Sequence, residues 1–259
     1  MLPHPTSRRS LAAFALAALA LASGAIACQP ELPEPGEPLT SREWVQASAR
    51  VHDPAGLWSQ FAAEATVASV TEAGRLAFQE DLYIDRGADT FRRSIATREA
   101  LLTQTVGPSG CTARWPGARN VGPDDLLRNG LEGEPCDVIV PRRELHEFLI
   151  GLPMSVLGAA TRFGESPAVD EIFGRTAMRV QLSFADDPGG QIWQLYIDPD
   201  SKQFIGASFT DRRGGGERFA YENYVAFEGF RLAQRRTVTK AVSEEFVIEQ
   251  RVRYTRIEP

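Results

Sequence analysis

The stretch Thr176-Ala177-Met178-Arg179-Val180-Gln181-Leu182-Ser183-Phe184 puts Met178, Val180, Leu182 and Phe184 on one face and Arg179, Gln181 and Ser183 on the other. Strict period-two alternation marks a strand with one buried and one solvated face. Toward the C-terminus the same reading predicts strands over residues 191–197, 204–210, 217–225, 230–240 and 245–257. The segments between them carry turn chemistry: Asp186-Asp187-Pro188-Gly189-Gly190, Asp198-Pro199-Asp200-Ser201, Arg213-Gly214-Gly215-Gly216 and Glu228-Gly229. Toward the N-terminus, residues 58–70, 76–84, 90–96 and 100–106 form an earlier group of four β-rich runs. About nine or ten strands joined by short turns describe one large antiparallel sheet, which must curl to bury its apolar face.

Two parts of the chain break this period. Thr40-Ser41-Arg42-Glu43 is a capping box, with the Thr40 hydroxyl and the Glu43 carboxylate placed to satisfy each other's backbone N–H. It predicts a helix of about three turns, with Trp44, Val45, Ala47, Ser48 and Val51 inward, that ends at His52-Asp53-Pro54. There a histidine cation would suit the negative end of the helix dipole. Residues 107–164 read as turns and helices: a short helical turn over 124–128, then a helix opened by Pro141 in which Leu145, Phe148 and Leu149 share a face. The apolar run continues through Ile150, Leu152, Met154, Val156 and Leu157, punctuated by Gly151, Pro153 and Gly158.

The first residues read as an address. Ser7-Arg8-Arg9 supplies positive charge, residues 11–22 are almost entirely Ala, Leu and Phe, and Ala25-Ile26-Ala27-Cys28 closes with small residues. Residues 1–27 therefore read as an export signal, whose apolar run is too short to span a bilayer, which needs about 20 apolar residues. Ala25-Ile26-Ala27-Cys28 resembles the bacterial lipobox, with Ala25 where a larger aliphatic is usual; cleavage by an ordinary signal peptidase is the alternative. Ser7-Arg8-Arg9-Ser10-Leu11 also resembles a twin-arginine export motif. The lipobox resemblance implies that Cys28 is acylated, with palmitate among its chains, and that the protein is membrane-anchored by lipid. Gln29 after Cys28 then favours the outer membrane, facing the periplasm. Residues 28–40 form a Pro-rich tether, stiff and solvated, reaching up to roughly 30 Å at about 3.1 Å per residue.

The remaining 232 residues carry 26 basic and 34 acidic side chains, a formal charge of about −8 with histidine neutral. This balance argues against a nucleic-acid partner, which calls for a basic face. With Cys28 assigned to lipid, Cys111 and Cys136 are an even pair in an oxidising compartment, which favours a disulfide. A reactive thiol or a metal ligand is the alternative, without a second cysteine or histidine at ligand spacing to support it.

Three segments carry a further resemblance. Trp193-Gln194-Leu195-Tyr196-Ile197-Asp198-Pro199-Asp200, followed by Phe204-Ile205-Gly206, resembles a strand ending in an Asp-Pro hairpin. Tyr221-Glu222-Asn223-Tyr224, then Glu228-Gly229-Phe230-Arg231-Leu232-Ala233 and Arg235-Arg236, resembles a closing hairpin. Gly151-Leu152-Pro153-Met154 resembles a plug segment. Together, over nearly all of residues 41–257, the chain resembles the LolA/LolB-like superfamily of periplasmic lipoprotein carriers and receptors, in a branch of uncharacterised bacterial lipoproteins. The resemblance implies an α+β fold over 41–259: a strongly curved antiparallel half-barrel sheet with helices plugging the concave face. It implies a cavity for an apolar ligand such as a lipid or a lipoprotein acyl chain, with Phe148, Leu152, Met154 and Leu157 as its adaptable wall. In the alternative those residues fill an ordinary core, and the protein is a structural or interaction lipoprotein of the envelope.

Chemistry-bearing signatures are sparse. Beyond residue 27 the histidines are His52 and His146, the zinc-protease helix motif is absent, and no Gly-x-Ser-x-Gly elbow occurs. Asp186-Asp187 and Asp198-Pro199-Asp200 lack the acid spacing of a calcium loop, and Gly214-Gly215-Gly216 lacks the Lys-Ser or Lys-Thr of a phosphate loop. The reading is therefore non-enzymatic, with no cofactor and no metal. Cys28→Ser is expected to release the protein from membranes without unfolding it, because the tether separates anchor from domain. Detergent-phase partitioning of wild type and variant checks this, and equal partitioning of the two would sink the lipid anchor.

Overall fold

The computed structural model describes residues 38–96, 101–114, 124, 135–164, 166–185 and 190–257, which apart from Pro38 belong to the unit Leu39–Pro259. The expected signal, Cys28, the tether up to residue 37, residues 125–128 of the expected helical turn and most of the 186–190 turn lie outside the described residues.

Helix α1 (Ser41–His52) opens on the expected capping box: Glu43 N donates to the Thr40 hydroxyl at 3.4 Å and Thr40 N donates to Glu43 Oε2 at 2.7 Å. Its buried side chains are Ser41, Trp44, Val45, Ser48, Ala49 and His52, so the inward stripe takes Ala49 and His52 rather than Ala47 and Val51. That set follows the i, i+3, i+4, i+7 spacing of a single helical face. At the C-terminal end Asp53 turns the chain, accepting from Leu57 N at 2.9 Å and Trp58 N at 2.7 Å. Residues 58–60 are accordingly a 3-10 turn, and the first strand begins at Ala62 instead of Trp58.

The strands are β1 (Ala62–Val70), β2 (Leu76–Asp85), β3 (Thr90–Ala96), β4 (Leu101–Gly107), β5 (Gly110–Arg114), β6 (Thr161–Phe163), β7 (Ala168–Ile172), β8 (Arg175–Phe184), β9 (Ile192–Ile197), β10 (Phe204–Thr210), β11 (Gly216–Phe227), β12 (Phe230–Lys240) and β13 (Phe246–Thr255). They form one open, 13-stranded antiparallel sheet in the order β5-β4-β3-β2-β1-β13-β12-β11-β10-β9-β8-β6, with β7 also on β8. Two meanders are thus joined by the pairing of β1 with β13, in which Val67 faces Val252. The expectation of nine or ten strands missed β5, β6 and β7, which have five, three and five residues. Segments that short hold too few alternations to show a period.

Helix α2 (Pro135–Gly151) contradicts the expectation that Pro141 opens it, since Pro141 lies inside. The turn ahead of Pro141 is held from outside: Ile139 is fully buried and Cys136 is bonded to Cys111 of β5. Such tertiary fixation offsets the loss of one helical hydrogen bond at an interior proline, worth about 3 kcal/mol.

Side chains from helices and sheet share two buried clusters. The first joins Trp44 and Val45 of α1 and Leu149 of α2 to Val180, Leu195, Ile197, Phe204 and Val238 of the strands. The second joins Ala49 of α1 and Ile139 and Ile150 of α2 to Phe61, Val67, Ile84, Phe91 and Leu232. Each fully buried Leu, Ile or Phe contributes about 1.5 to 3 kcal/mol, so these clusters dominate stability.

The Cys111–Cys136 disulfide spans 25 residues with a Cα–Cα distance of 5.5 Å. A loop of this length stabilises by about 3 to 4 kcal/mol in the chain-entropy treatment. Cys111→Ser, or reduction of the wild type, is expected to lower the denaturant midpoint accordingly. Free thiols at both positions in the native, oxidised protein would contradict the pairing.

Candidate functional site

Of the four side chains expected to line a site, Phe148 lies in the last turn of α2, Leu152 just after it, Met154 in the 3-10 turn Met154–Val156 and Leu157 at that turn's C-cap. Leu152 lies in the first cluster and Met154 in the second, while Leu157 packs against both. Phe148 meets the Trp193 ring edge-on at 4.8 Å and the Phe184 ring at 5.7 Å. Leu145, expected on the same face as Phe148 and Leu149, is exposed, and the inward positions of that turn pass to His146 and Leu149. Residues 148–157 therefore stand where the two clusters meet.

Three contacts set this segment in place. The free carbonyls at the end of α2 find donors, with the Tyr221 hydroxyl donating to Leu149 O and the Ser155 hydroxyl to Phe148 O, each at 3.0 Å. Gly151 lies so close to Trp58 that a Cβ there would fall 2.2 Å from the indole Cζ2. Only glycine allows this approach of helix to ring. A cavity of about 10 Å³ remains beside the segment, lined by Leu149, Leu152, Tyr221, Tyr254, Arg231 and Arg236 among others. That is room for about one water.

Deeper along α2 lies a polar cluster that sequence reasoning did not assemble. Arg93 donates from Nε to Glu80 Oε1 at 2.7 Å and from Nη1 to Gln104 Oε1 at 3.1 Å. His146 of α2 reaches down to it, with Nε2 3.0 Å from Glu80 Oε2, close but out of line for a good hydrogen bond. Burial alone would raise the Glu80 carboxyl; His146 and the Arg93 guanidinium outweigh it and bring the pKa down to about 2. Burial lowers His146, whose ring also stacks on Phe91 at 6.1 Å. The signal available in sequence was the alternation itself: Glu80 shares a parity with Leu82 and Ile84, Arg93 with Phe91, and Gln104 with Leu102. A polar residue on a buried parity predicts a paired polar network. Among the described residues no group of three or more His, Cys, Asp or Glu is placed to hold a metal ion.

No protein-family model matches the chain and no curated protein matches its sequence. Solved structures resemble it. A LolA superfamily protein from Nitrosomonas europaea is 12% identical with a TM-score of 0.49, over 86% of this chain and 96% of that one. A domain described as an outer membrane lipoprotein-sorting protein, from Vibrio parahaemolyticus, is 13% identical with a TM-score of 0.42, over 83% and 92%. A DUF1329 family protein from Desulfovibrio piger is 9% identical with a TM-score of 0.39, over 82% and 90%. Structural similarity to LolA superfamily proteins is thus present at low sequence identity, and at this level it says nothing of ligand or partner. Function has to be read from the side chains of this chain.

His52 corrects a further expectation. It does not serve α1 as a cation: Nδ1 donates to Arg231 O at 2.7 Å and Nε2 accepts from Phe204 N at 3.1 Å, so the ring is a neutral bridge from α1 to β12 and β10. Burial pushes its pKa down to about 4, against a hydrogen bond from the ring to the Arg231 carbonyl that favours the proton. The unfolded chain takes up this proton below about pH 6.5 and the folded protein only near pH 4. Stability contributed by neutral His52 is therefore complete above pH 6.5 and is lost as pH falls toward 4, by about 3 kcal/mol in all. Urea unfolding across that window is expected to show this slope, and His52→Asn to flatten it; an unchanged slope in the variant would remove His52 as its source.

Proposed function

We propose that the sheet curls into a half-barrel whose concave side is plugged by α2 and the turn after it. In this reading the protein is a non-enzymatic lipoprotein of the cell envelope, anchored through acylated Cys28 at the outer membrane and facing the periplasm. It takes up an apolar ligand, a lipid or the acyl chain of a lipoprotein, when the plug is displaced. The observation that carries the reading is the position of residues 148–157 at the junction of both buried clusters. Departure of that one segment would join the clusters into a continuous apolar surface with Phe148, Leu152, Met154 and Leu157 at its border.

The exchange is close to balanced. Half a dozen side chains of the plug, at about 2 kcal/mol each, leave contacts that an acyl chain of about fourteen carbons replaces at about 0.8 kcal/mol per methylene. A flexible Met and unbranched apolar tails repack where a rigid core would not. A second reading, a structural or interaction lipoprotein with a filled core, is favoured by the cavity of only about 10 Å³.

Gly151→Ala separates the two. Its Cβ must push α2 away from Trp58, so a displaceable plug would open more readily and an apolar fluorescent dye would bind several-fold more tightly than to wild type, with fatty acid or phospholipid competing. A filled core would lose about 1 to 3 kcal/mol from the overpacking and bind no dye in either form. A folded wild type that takes up no apolar dye would defeat the carrier reading.

A further inference from the structure

Among the described residues two arginines are buried, in opposite circumstances. Arg93 is paired with Glu80. Arg236, only 3% exposed, is not: its Nε and Nη2 donate to the amide oxygen of Gln250, Nε at 2.7 Å, and its guanidinium lies 5.8 Å from the Tyr221 ring centre. Both partners are neutral, and among the described residues no carboxylate pairs with it. A guanidinium stays protonated at any working pH, and a buried one without a counter-charge opposes folding.

Its surroundings repeat the pattern. Arg236 stands on β12 directly opposite Tyr221 of β11 and Gln250 of β13, and it lines the small cavity beside the plug. Arg231, itself exposed to solvent, lines the same cavity, and its guanidinium donates to the Gln203 amide oxygen at 2.8 Å and lies over the Tyr224 ring. Among the described residues no Asp or Glu contributes to that lining, in a chain with 34 acids against 28 bases. The apolar wall is Leu149, Leu152, Leu232 and Val252. Tyr221 adds a donor tied to the plug, since its hydroxyl is spent on Leu149 O while α2 is in place. Displacement of α2 would free that O–H beside Arg236.

We propose that Arg236 is the counter-charge for the carboxylate head of a long-chain amphiphile, so that the ligand of the half-barrel is an anionic lipid of fatty-acid type. This assignment rests on the apolar-ligand reading above and adds the head to the tail. A planar carboxylate matches the guanidinium with two parallel hydrogen bonds, while the released Tyr221 hydroxyl donates to the same oxygens. The space beside Arg236 holds about one water while the plug is in place; once the plug is displaced, a planar carboxylate asks for less room there than a phosphodiester bearing its headgroup. Burial raises the Tyr221 and Tyr254 hydroxyls above their ordinary range, which keeps them neutral donors next to an anion.

Oleate, methyl oleate and lysophosphatidylcholine, each competing with Nile red on the full chain, test the assignment. Oleate is expected to compete at least tenfold more strongly than methyl oleate on wild type, the difference one charge-assisted contact provides. Arg236→Met is expected to abolish that preference while leaving methyl oleate unaffected, and Arg236→Lys to keep part of it. Without ligand, Arg236→Met is expected to melt no lower than wild type, and oleate to raise the melting temperature of wild type alone. Dye and methyl oleate binding with no preference for oleate would overturn the head assignment and leave the apolar-ligand reading standing. A preference for lysophosphatidylcholine, or an oleate preference surviving in Arg236→Met, would overturn it too. A lowered melting temperature for Arg236→Met with no loss of preference would mark the residue as structural. Failure of wild type to bind dye or any lipid would remove both readings together. Comparison of oleate with methyl oleate on wild type needs no variant to fold.

Discussion

An open sheet has one face to bury and no second sheet to bury it against. Every other feature of the described domain answers that constraint. Trp44, Val45 and Ala49 from α1, and Ile139, Leu149 and Ile150 from α2, share clusters with the buried parity of the strands. The capping box and the Asp53 turn fix the two ends of α1, and the neutral His52 bridge ties it to β12 and β10. A helix so short has little stability of its own in water, and packing of this kind supplies it.

Helix α2 is fastened differently along its length. Near its start a disulfide ties it to β5, and farther on Arg143 pairs with Asp89 at 2.5 Å and Glu147 with Arg86 at 2.5 Å. At its end the attachments are weaker in kind: one tyrosine hydroxyl, one serine hydroxyl and apolar contact, with a glycine where the helix crosses Trp58. Covalent and ionic ties cannot be exchanged for a hydrocarbon ligand, whereas apolar contacts can. In the proposed reading, this gradient makes residues 148–157 the part that yields to a ligand and the rest of α2 the part that stays. Arg236, bonded to Gln250 and met by no carboxylate among the described residues, lines the small cavity beside that same end, and in the proposed carboxylate site its charge would serve binding at the expense of stability.

Much of this was legible before any coordinates. Alternation located the long strands β1 to β4 and β8 to β13 within a few residues, because a strand with one buried face must alternate. Thr40 and Glu43 announced α1, because capping is local chemistry between residues three apart. The polar interior was less accessible. Glu80, Arg93 and Gln104 each look like an ordinary surface residue in sequence, and only their parity with Leu82, Phe91 and Leu102 hints that they face inward. Arg236 hides in the same way, between Leu232 and Val238 on β12.

By itself the sequence determined the class of the domain, an antiparallel sheet with a capped helix ahead of it, and it singled out the apolar run that ends α2. Those are consequences of short-range rules: side-chain period, turn residues and caps. Tertiary structure alone decided that Pro141 lies inside α2, that His52 is neutral, that Glu80 and not Glu222 or Glu249 meets a buried arginine, and that Arg236 meets none. Each of those outcomes depends on which strand lies beside which, and the pairing of β1 with β13 brings together residues almost two hundred positions apart. Burial and partner set the charge state of an ionisable group, and neither is a property of its neighbours along the chain.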